Sequence, residues 1–213
     1  MIAVECSSFQ LETIESFHPR CSGVINITPD HLDRHRTMEN YAEIKSRIFM
    51  NQDPDEYTVL NHMDPWIAKF KPPCRTLYFS ADRVLERGVW IEDGKITASL
   101  EGRREVICGV SEVKLRGRHN LENILCAVGM TRAVGIPPEA IREALVAFAG
   151  VRHRLQEVRT LNGVLYVNDS KGTNPESTIK ALESFSEPII LIAGGRSKGG
   201  DFDKLAHLIA KKV

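Results

Sequence analysis

The sequence predicts an α/β protein organised on a mostly parallel sheet, and three observations carry that expectation. Short apolar runs such as Gly23-Val24-Ile25-Asn26-Ile27 end in polar loops, here Thr28-Pro29-Asp30-His31, as buried parallel strands do. Segments with helical spacing alternate with those runs. Beyond Gly150 two strand-loop-helix units follow one another, an order that implies parallel strands with ligands gathered at their C-terminal ends.

Taken in order, Met1-Ile2-Ala3-Val4-Glu5 reads as a strand already under way, and Gly23 to Ile27 as the next. Tyr41, Ile44, Ile48 and Phe49 recur at helical spacing until Asp53-Pro54-Asp55 breaks the pattern. Tyr57 to Leu60 and Thr76 to Phe79 are strands. Gly88 to Glu92 and Lys95 to Leu100 flank Asp93-Gly94, a strong hairpin signal, so a peripheral antiparallel element is expected there. Leu121, Ile124, Leu125 and Val128 mark one apolar helix face; Gly135-Ile136-Pro137-Pro138 closes that helix, and a second runs from Glu139 to Phe148. Gly150 reads as a hinge between a domain of residues 1–150 and one of 151–213. The first unit beyond it is Gly163 to Val167, the loop 168–174 and a helix from about Glu176. The second is Pro188 to Ala193, the loop 194–200 and a helix from Phe202. Because Ala206 to Val213 stops inside a helical pattern and Met1 starts inside a strand, the chain reads as a piece of a longer protein.

Composition narrows the partners. Lys+Arg and Asp+Glu both total 28 in 213 residues, so no net basic field draws the chain to nucleic acid or an anionic membrane, and any anion binding is local. Cys6, Cys21, Cys74, Cys108 and Cys126 form no C-x-x-C pair and read as buried, reduced thiols. With neither a signal segment nor an apolar run of about 18 residues, a cytoplasmic location is expected.

Several residues can carry chemistry. Lys45 shares the apolar helix face of Tyr41 and Ile48, where an ammonium is costly. Either it reaches out to solvent or a carboxylate, or burial favours the neutral amine, which reacts with carbon dioxide to give an anionic carbamate with oxygens for magnesium. Glu5 and His31 sit at strand ends where they can join Lys45 around one cation, although a loop histidine is commonly just hydrogen-bonded and Asp30 and Asp33 are equally available donors. Asn120 and Asn123 open a helix on one face; their carboxamides can read a base edge, or Asn120 simply caps the helix and Asn123 is solvated. The loops 168–174 and 194–200 combine lysines and hydroxyls ahead of helices, the makings of an anion site, or are Asx and glycine turns with solvated lysines.

Seen together, these segments resemble the Mur ligase family. The resemblance rests on Glu5-Cys6-Ser7-Ser8-Phe9-Gln10-Leu11-Glu12, Asn26 to His35 with Thr28-Pro29-Asp30-His31 at its centre, Tyr41-Ala42-Glu43-Ile44-Lys45, Gly117-Arg118-His119-Asn120-Leu121-Glu122-Asn123, His153-Arg154, Asn168 to Asn174 and Gly194 to Lys198. These cover nearly the whole chain, and the Ser-Ser-Phe-Gln-Leu and Asn-Asp-Ser-Lys segments are similar to those of the D-glutamate-adding branch. The resemblance implies an ATP-binding central domain followed by part of a Rossmann-like C-terminal domain. It implies that Glu5, His31 and carbamylated Lys45 hold magnesium, and that Ser7 and Gln10 lie near the nucleotide-sugar substrate. It further implies that Asn120, Asn123, Arg154 and Asp169 contact ATP, while Lys171, Thr173 and Lys198 face D-glutamate and the reacting phosphate, His31, Lys45, Lys171 and Lys198 being the catalytic set. The implied reaction, in peptidoglycan synthesis, phosphorylates the carboxylate of UDP-N-acetylmuramoyl-L-alanine with ATP; the amine of D-glutamate then attacks the acyl phosphate.

One departure matters. The family's phosphate loop, G-x-x-G-K-[ST], does not occur in this sequence. The expectation is that it lies upstream, that a nucleotide-sugar-binding N-terminal domain and the end of the C-terminal domain lie outside as well, and that the 213-residue chain alone is inactive and self-associates. The alternatives are another amide-forming ligase of the superfamily, such as a different Mur ligase or a folylpolyglutamate synthase, or a non-catalytic nucleotide-binding relic.

Overall fold

The computed structural model describes residues 1–196 and 202–213. Contacts divide the chain into two units, Met1–Glu112 with Glu122–Leu145 and Val113–Leu121 with Val146–Val213.

In the first unit, β1 (Cys21–Val24), β2 (Tyr57–Asn61), β3 (Arg75–Ser80), β4 (Gly88–Glu92), β5 (Lys95–Leu100) and β6 (Arg103–Gly109) form one six-stranded sheet in that order. The pairs from β1 to β4 are parallel and those from β4 to β6 antiparallel. All five residues of β2 are buried, as expected of a parallel strand covered on both faces. Its neighbours Val59 and Leu60 point to opposite faces. Leu60 joins Val24, Tyr41, Phe49 and Ile67 in one core cluster. Val59 faces α4 (Arg118–Ala133), where a β-carbon on Gly129 would come within 2.8 Å of Val59 Cγ1. On the next strand a β-carbon on Gly23 would meet Cys126 Sγ at 2.8 Å, so the bare backbones let helix and sheet close on each other. Leu60, Leu77, Phe79 and Trp90 are at most 1% exposed, and each such side chain contributes about 1.5–3 kcal/mol.

The short α1 (Ser8–Leu11) and α2 (Leu32–His35) precede α3 (Met38–Ser46), which a 3-10 turn at Arg47–Phe49 continues; α5 (Pro138–Ala147) follows α4. The Asp93-Gly94 hairpin forms as expected, with φ of 49° and 69° at its two central residues. Its position differs from expectation: β4 pairs with β3, so the hairpin is part of the main sheet, with Val89, Trp90 and Ile96 in the core. The expected strand at Met1 to Glu5 does not form. Among the described residues they pair with no strand, and Met1 and Ile2 are about nine-tenths exposed, at 93% and 88%.

In the second unit, β7 (Gln156–Leu161) and β8 (Val164–Asn168) form an antiparallel hairpin, followed by α6 (Pro175–Glu183) and α7 (Asp203–Lys212). Asn174 caps α6 through its side chain, with Pro175 in the first turn, where its missing N–H costs nothing. α6 buries Ile179 and Leu182, and Lys212 of α7 donates to the carbonyls of Leu182 and Phe185. The expected parallel pair is not present here. The first strand pairs antiparallel with β7, and Pro188 to Ala193 forms no strand, leaving Ile190 and Ile192 at 90% and 96% exposure. The segment has the composition of a buried strand, but among the described residues it pairs with no strand.

Candidate functional site

In the first unit the candidate residues gather around α1, α2 and α3. Ser7 caps α1 in a capping box: its hydroxyl accepts from the Gln10 N–H, and Gln10 Oε1 accepts from the Ser7 N–H at 2.9 Å and from its hydroxyl at 3.0 Å. The two therefore bond each other. Beside them, buried Ser8 bonds His35 Nε2 at 2.9 Å, and the His35 ring, 3% exposed, lies 5.6 Å from the ring of Phe9 and 5.3 Å from that of Tyr41. His35 thus joins all three helices, and its other ring nitrogen, Nδ1, is buried without a hydrogen-bond partner. Sequence reasoning did not single it out.

His31 is exposed, packs edge-on against Phe9, and donates its backbone N–H to Asp30 Oδ1 at 2.9 Å. Its φ of 53° is unusual for a residue with a β-carbon. Lys45 is half-buried, with its Nζ 5.7 Å from the centre of the Tyr41 ring. Among the described residues it makes no hydrogen bond or ion pair, so the pairing alternative for it is not realised. Burial pulls its pKa below the usual lysine value and outweighs the opposing attraction of Asp30, Glu5 and Cys6. An amine held towards its neutral form, with two carboxylates in electrostatic range, fits both carbamate formation and a cation nearby. Glu5 and His31 do not belong to any set of three His, Cys, Asp or Glu donors within 4.8 Å of one another; among the described residues that condition is met by His18, Asp53 and Glu56.

That trio lines an open cavity of about 500 Å³. His18 Nε2 lies 2.6 Å from Glu56 Oε2, which also accepts the Asp53 N–H at 2.8 Å, so the donors are engaged with one another. The Glu56 hydrogen bond raises the His18 pKa. For Glu56 burial pushes upward, but the Asp53 N–H and His18 together hold it below the usual carboxylate value.

In the second unit two loops interlock. In one, His153 and Leu155 adopt φ of 66° and 44° on either side of Arg154. In the other, Asp169 Oδ1 accepts the Leu155 N–H, and the Lys171 N–H donates to His153 O, both at 2.9 Å. Asp169 is half-buried, whereas the side chains of Arg154, Lys171 and Thr173 are exposed. A β-carbon on Gly172 would lie 2.7 Å from Asp169 Oδ2, which explains the glycine. His119 is half-buried near this group; burial first, then Lys180 and Arg154, lower its pKa against the pull of Asp169 and Glu183. Asn120 is not the helix cap. It lies inside the first turn of α4, 7% exposed, and donates to Arg116 O at 2.6 Å. Asn123 is half-buried one turn further along the same helix. Lys198, with the rest of 197–201, lies outside the described residues.

The five cysteines are free, and Cys108 and Cys126 are buried. No helix among the described residues is long and apolar enough to cross a membrane.

Comparison with known proteins matches the Mur ligase middle domain to residues 1–131 and the Mur ligase, glutamate ligase domain to residues 153–213. Among curated relatives, the UDP-N-acetylmuramoylalanine--D-glutamate ligase of Pelotomaculum thermopropionicum is 51% identical over 100% of this chain and 47% of its own length. That of Thermoanaerobacter sp. is 50% identical over the same shares, so the chain spans about half the length of these relatives. Among solved structures, MurF from Acinetobacter baumannii aligns with a TM-score of 0.63 at 19% identity, covering 79% of this chain and 38% of that one. A pseudomurein peptide ligase type C from Methanothermus fervidus aligns with a TM-score of 0.59 at 17% identity, covering 79% and 41%. At such identities the structural likeness speaks for the fold alone. The family matches span most of the sequence, and on them the chain belongs to the Mur ligase family.

Proposed function

We propose that the chain is part of an ATP-dependent ligase that joins D-glutamate to UDP-N-acetylmuramoyl-L-alanine in the cytoplasm, with residues 1–150 belonging to its ATP-binding domain and 151–213 to its amino-acid-binding domain. The observation that carries this reading is the 51% identity, along the whole chain, with a relative of that name. In this reading the substrate carboxylate is phosphorylated by ATP and the D-glutamate amine displaces phosphate from the acyl phosphate.

The residues divide the work by position. Ser7 and Gln10 bound the nucleotide-sugar side, held in register by the capping box. Asn120 and Asn123 face the adenine nucleotide, as do Arg154 and Asp169. Lys171, Thr173 and Lys198 neutralise and orient the D-glutamate carboxylates and the transferring phosphoryl group. Glu5, His31 and Lys45 as its carbamate would hold magnesium, which supplies charge neutralisation at the phosphoryl oxygens. The lowered Lys45 pKa and the nearby Asp30 and Glu5 carboxylates support that assignment.

The test is phosphate release by the complete ligase containing this chain, supplied with ATP, magnesium and UDP-N-acetylmuramoyl-L-alanine. Release that requires D-glutamate is the expected result. Release driven instead by L-lysine, diaminopimelate or a dipeptide would assign a different ligase, and none with any amino acid would leave the relic reading standing.

A further inference from the structure

Three features of the second unit converge on the turn that carries Arg154. His153 and Leu155, on either side of it, both have positive φ, a conformation disfavoured for residues with a β-carbon, so the turn persists only if its surroundings hold it. His153 is held at every polar position that the hairpin reaches. Its N–H donates to Gln156 Oε1 at 2.9 Å, its carbonyl accepts the Lys171 N–H at 2.9 Å, and its ring Nδ1 lies 3.0 Å from Asn168 Nδ2. Asn168 Oδ1 accepts the Ser170 N–H at 3.0 Å, which makes Nδ2 the donor and His153 Nδ1 the acceptor. Finally, Gln156 and Asn168 stand directly opposite each other on β7 and β8, so one rung of the hairpin supplies both clamps. Arg154 makes no side-chain hydrogen bond or ion pair among the described residues, so its guanidinium is left open while its neighbours are tied down.

We infer that Gln156 and Asn168 are positioning residues, which fix the turn at His153 to Leu155 so that Arg154 is presented to the phosphates of the nucleotide. The inference rests on the function proposed above. It assigns roles to two residues that touch no ligand themselves: their effect on nucleotide binding passes through Arg154.

The experiment uses the complete ligase and its variants Q156A, Q156E, R154A and Q156A/R154A, with ADP affinity read by calorimetry and KM for ATP and for D-glutamate read with kcat. Losing one hydrogen bond that holds a strained turn is expected to weaken ADP binding and raise KM for ATP about tenfold in Q156A. KM for D-glutamate should move less. Q156E keeps an acceptor oxygen in place and should stay within about threefold of the parent. Because Gln156 acts through Arg154, the double variant should be no weaker than R154A alone. An unchanged ADP affinity in Q156A, a loss of kcat without a change in nucleotide affinity, or a full additional loss on top of R154A would each overturn the inference. Failure of the functional reading looks different: the unaltered ligase would then release no phosphate with D-glutamate, whatever its affinity for ADP.

Discussion

β2 in the first unit and β7 in the second are strands of similar length held in place by different forces. Every residue of β2 is buried, while β7 is exposed along Glu157 to Leu161. Around β2, packing predominates: Gly23 and Gly129 admit α4, Leu60 and Val59 each fill an opposite face, and the hydrogen bonds of Ser22 Oγ with Gln52 and Thr58 are themselves buried. Around β7 and β8, position is set by hydrogen bonds between side chains and backbone, with Gln156, Asn168 and Asp169 fastening the turn that carries Arg154. The candidate residues near Lys45 therefore rest on a dense core, whereas those near Arg154 rest on a polar scaffold. The difference teaches that truncating a side chain should damage the first unit by opening cavities and the second by freeing a loop.

The largest expected effect separates the two directly. Phe79 is fully buried in β3, and Phe79→Ala should destabilise the first unit by about 3–5 kcal/mol through lost burial and a residual cavity. Val158, 57% exposed on β7, should tolerate the same truncation within about 0.5 kcal/mol. Urea titrations followed by tryptophan fluorescence report on the first unit, since both tryptophans, Trp66 and Trp90, lie in it; the second unit is followed by amide exchange of the β7 and β8 ladder. Similar losses for the two truncations would break the comparison.

A smaller effect tests whether polar fastening also operates inside the packed unit. Ser8→Ala leaves the buried His35 ring with neither nitrogen bonded and should cost about 1–3 kcal/mol. His35→Phe strands the Ser8 hydroxyl in the same way. Combining Ser8→Ala with His35→Phe removes both polar partners, so the pair should be less destabilising than the sum of the singles by about 1 kcal/mol or more. Strict additivity in a thermal-melt cycle would show that the bond holds nothing together and that Phe9 and Tyr41 alone fix the ring.

Much of the sheet was legible in the sequence. β2 and β3 read from their apolar runs, the β4–β5 hairpin from Asp93-Gly94, and α3, α4 and α5 from their spacing. β6 was not, because it opens on Arg103, Arg104 and Glu105, whose side chains need no core even though the backbone completes a ladder. β7 escaped for the same reason. The converse error occurred at Met1 to Glu5 and Pro188 to Ala193: apolar composition reports a preference for burial, but a strand also needs a neighbour, and none among the described residues pairs with these segments. Within the candidate site the motif residues were readable because they carry distinctive chemistry. His35, Gln156 and Asn168 were not, because each acts on another residue through geometry. Asn162-Gly163, with φ of 50° and 78°, is a hairpin signal that pairs β7 with β8, but its regular register sets Glu157 opposite Asn168; only the bulge at Val158 brings Gln156 there.

The smallest expected effect is the pH dependence of the His18 and Glu56 pair, which adds an exposed polar clamp to the edge of the packed unit. His18 has a raised pKa, so its contribution is fully present below the ordinary imidazole value of 6.5 and is lost as pH rises through the folded value. Glu56 has a lowered pKa, so its contribution is present above the ordinary carboxylate value of 4.5 and is lost as pH falls through its own folded value. The two conditions overlap between those ordinary values. His18→Ala should therefore lower the melting temperature most in that window, and the gap from the parent should close on the acid side, as Glu56 is protonated, and on the alkaline side, as His18 loses its proton. Added salt should shrink the gap within the window, because both groups face solvent enough to be screened. A gap that stays constant from acid to alkaline pH would mean that His18 contributes by packing and that its bond to Glu56 fastens nothing.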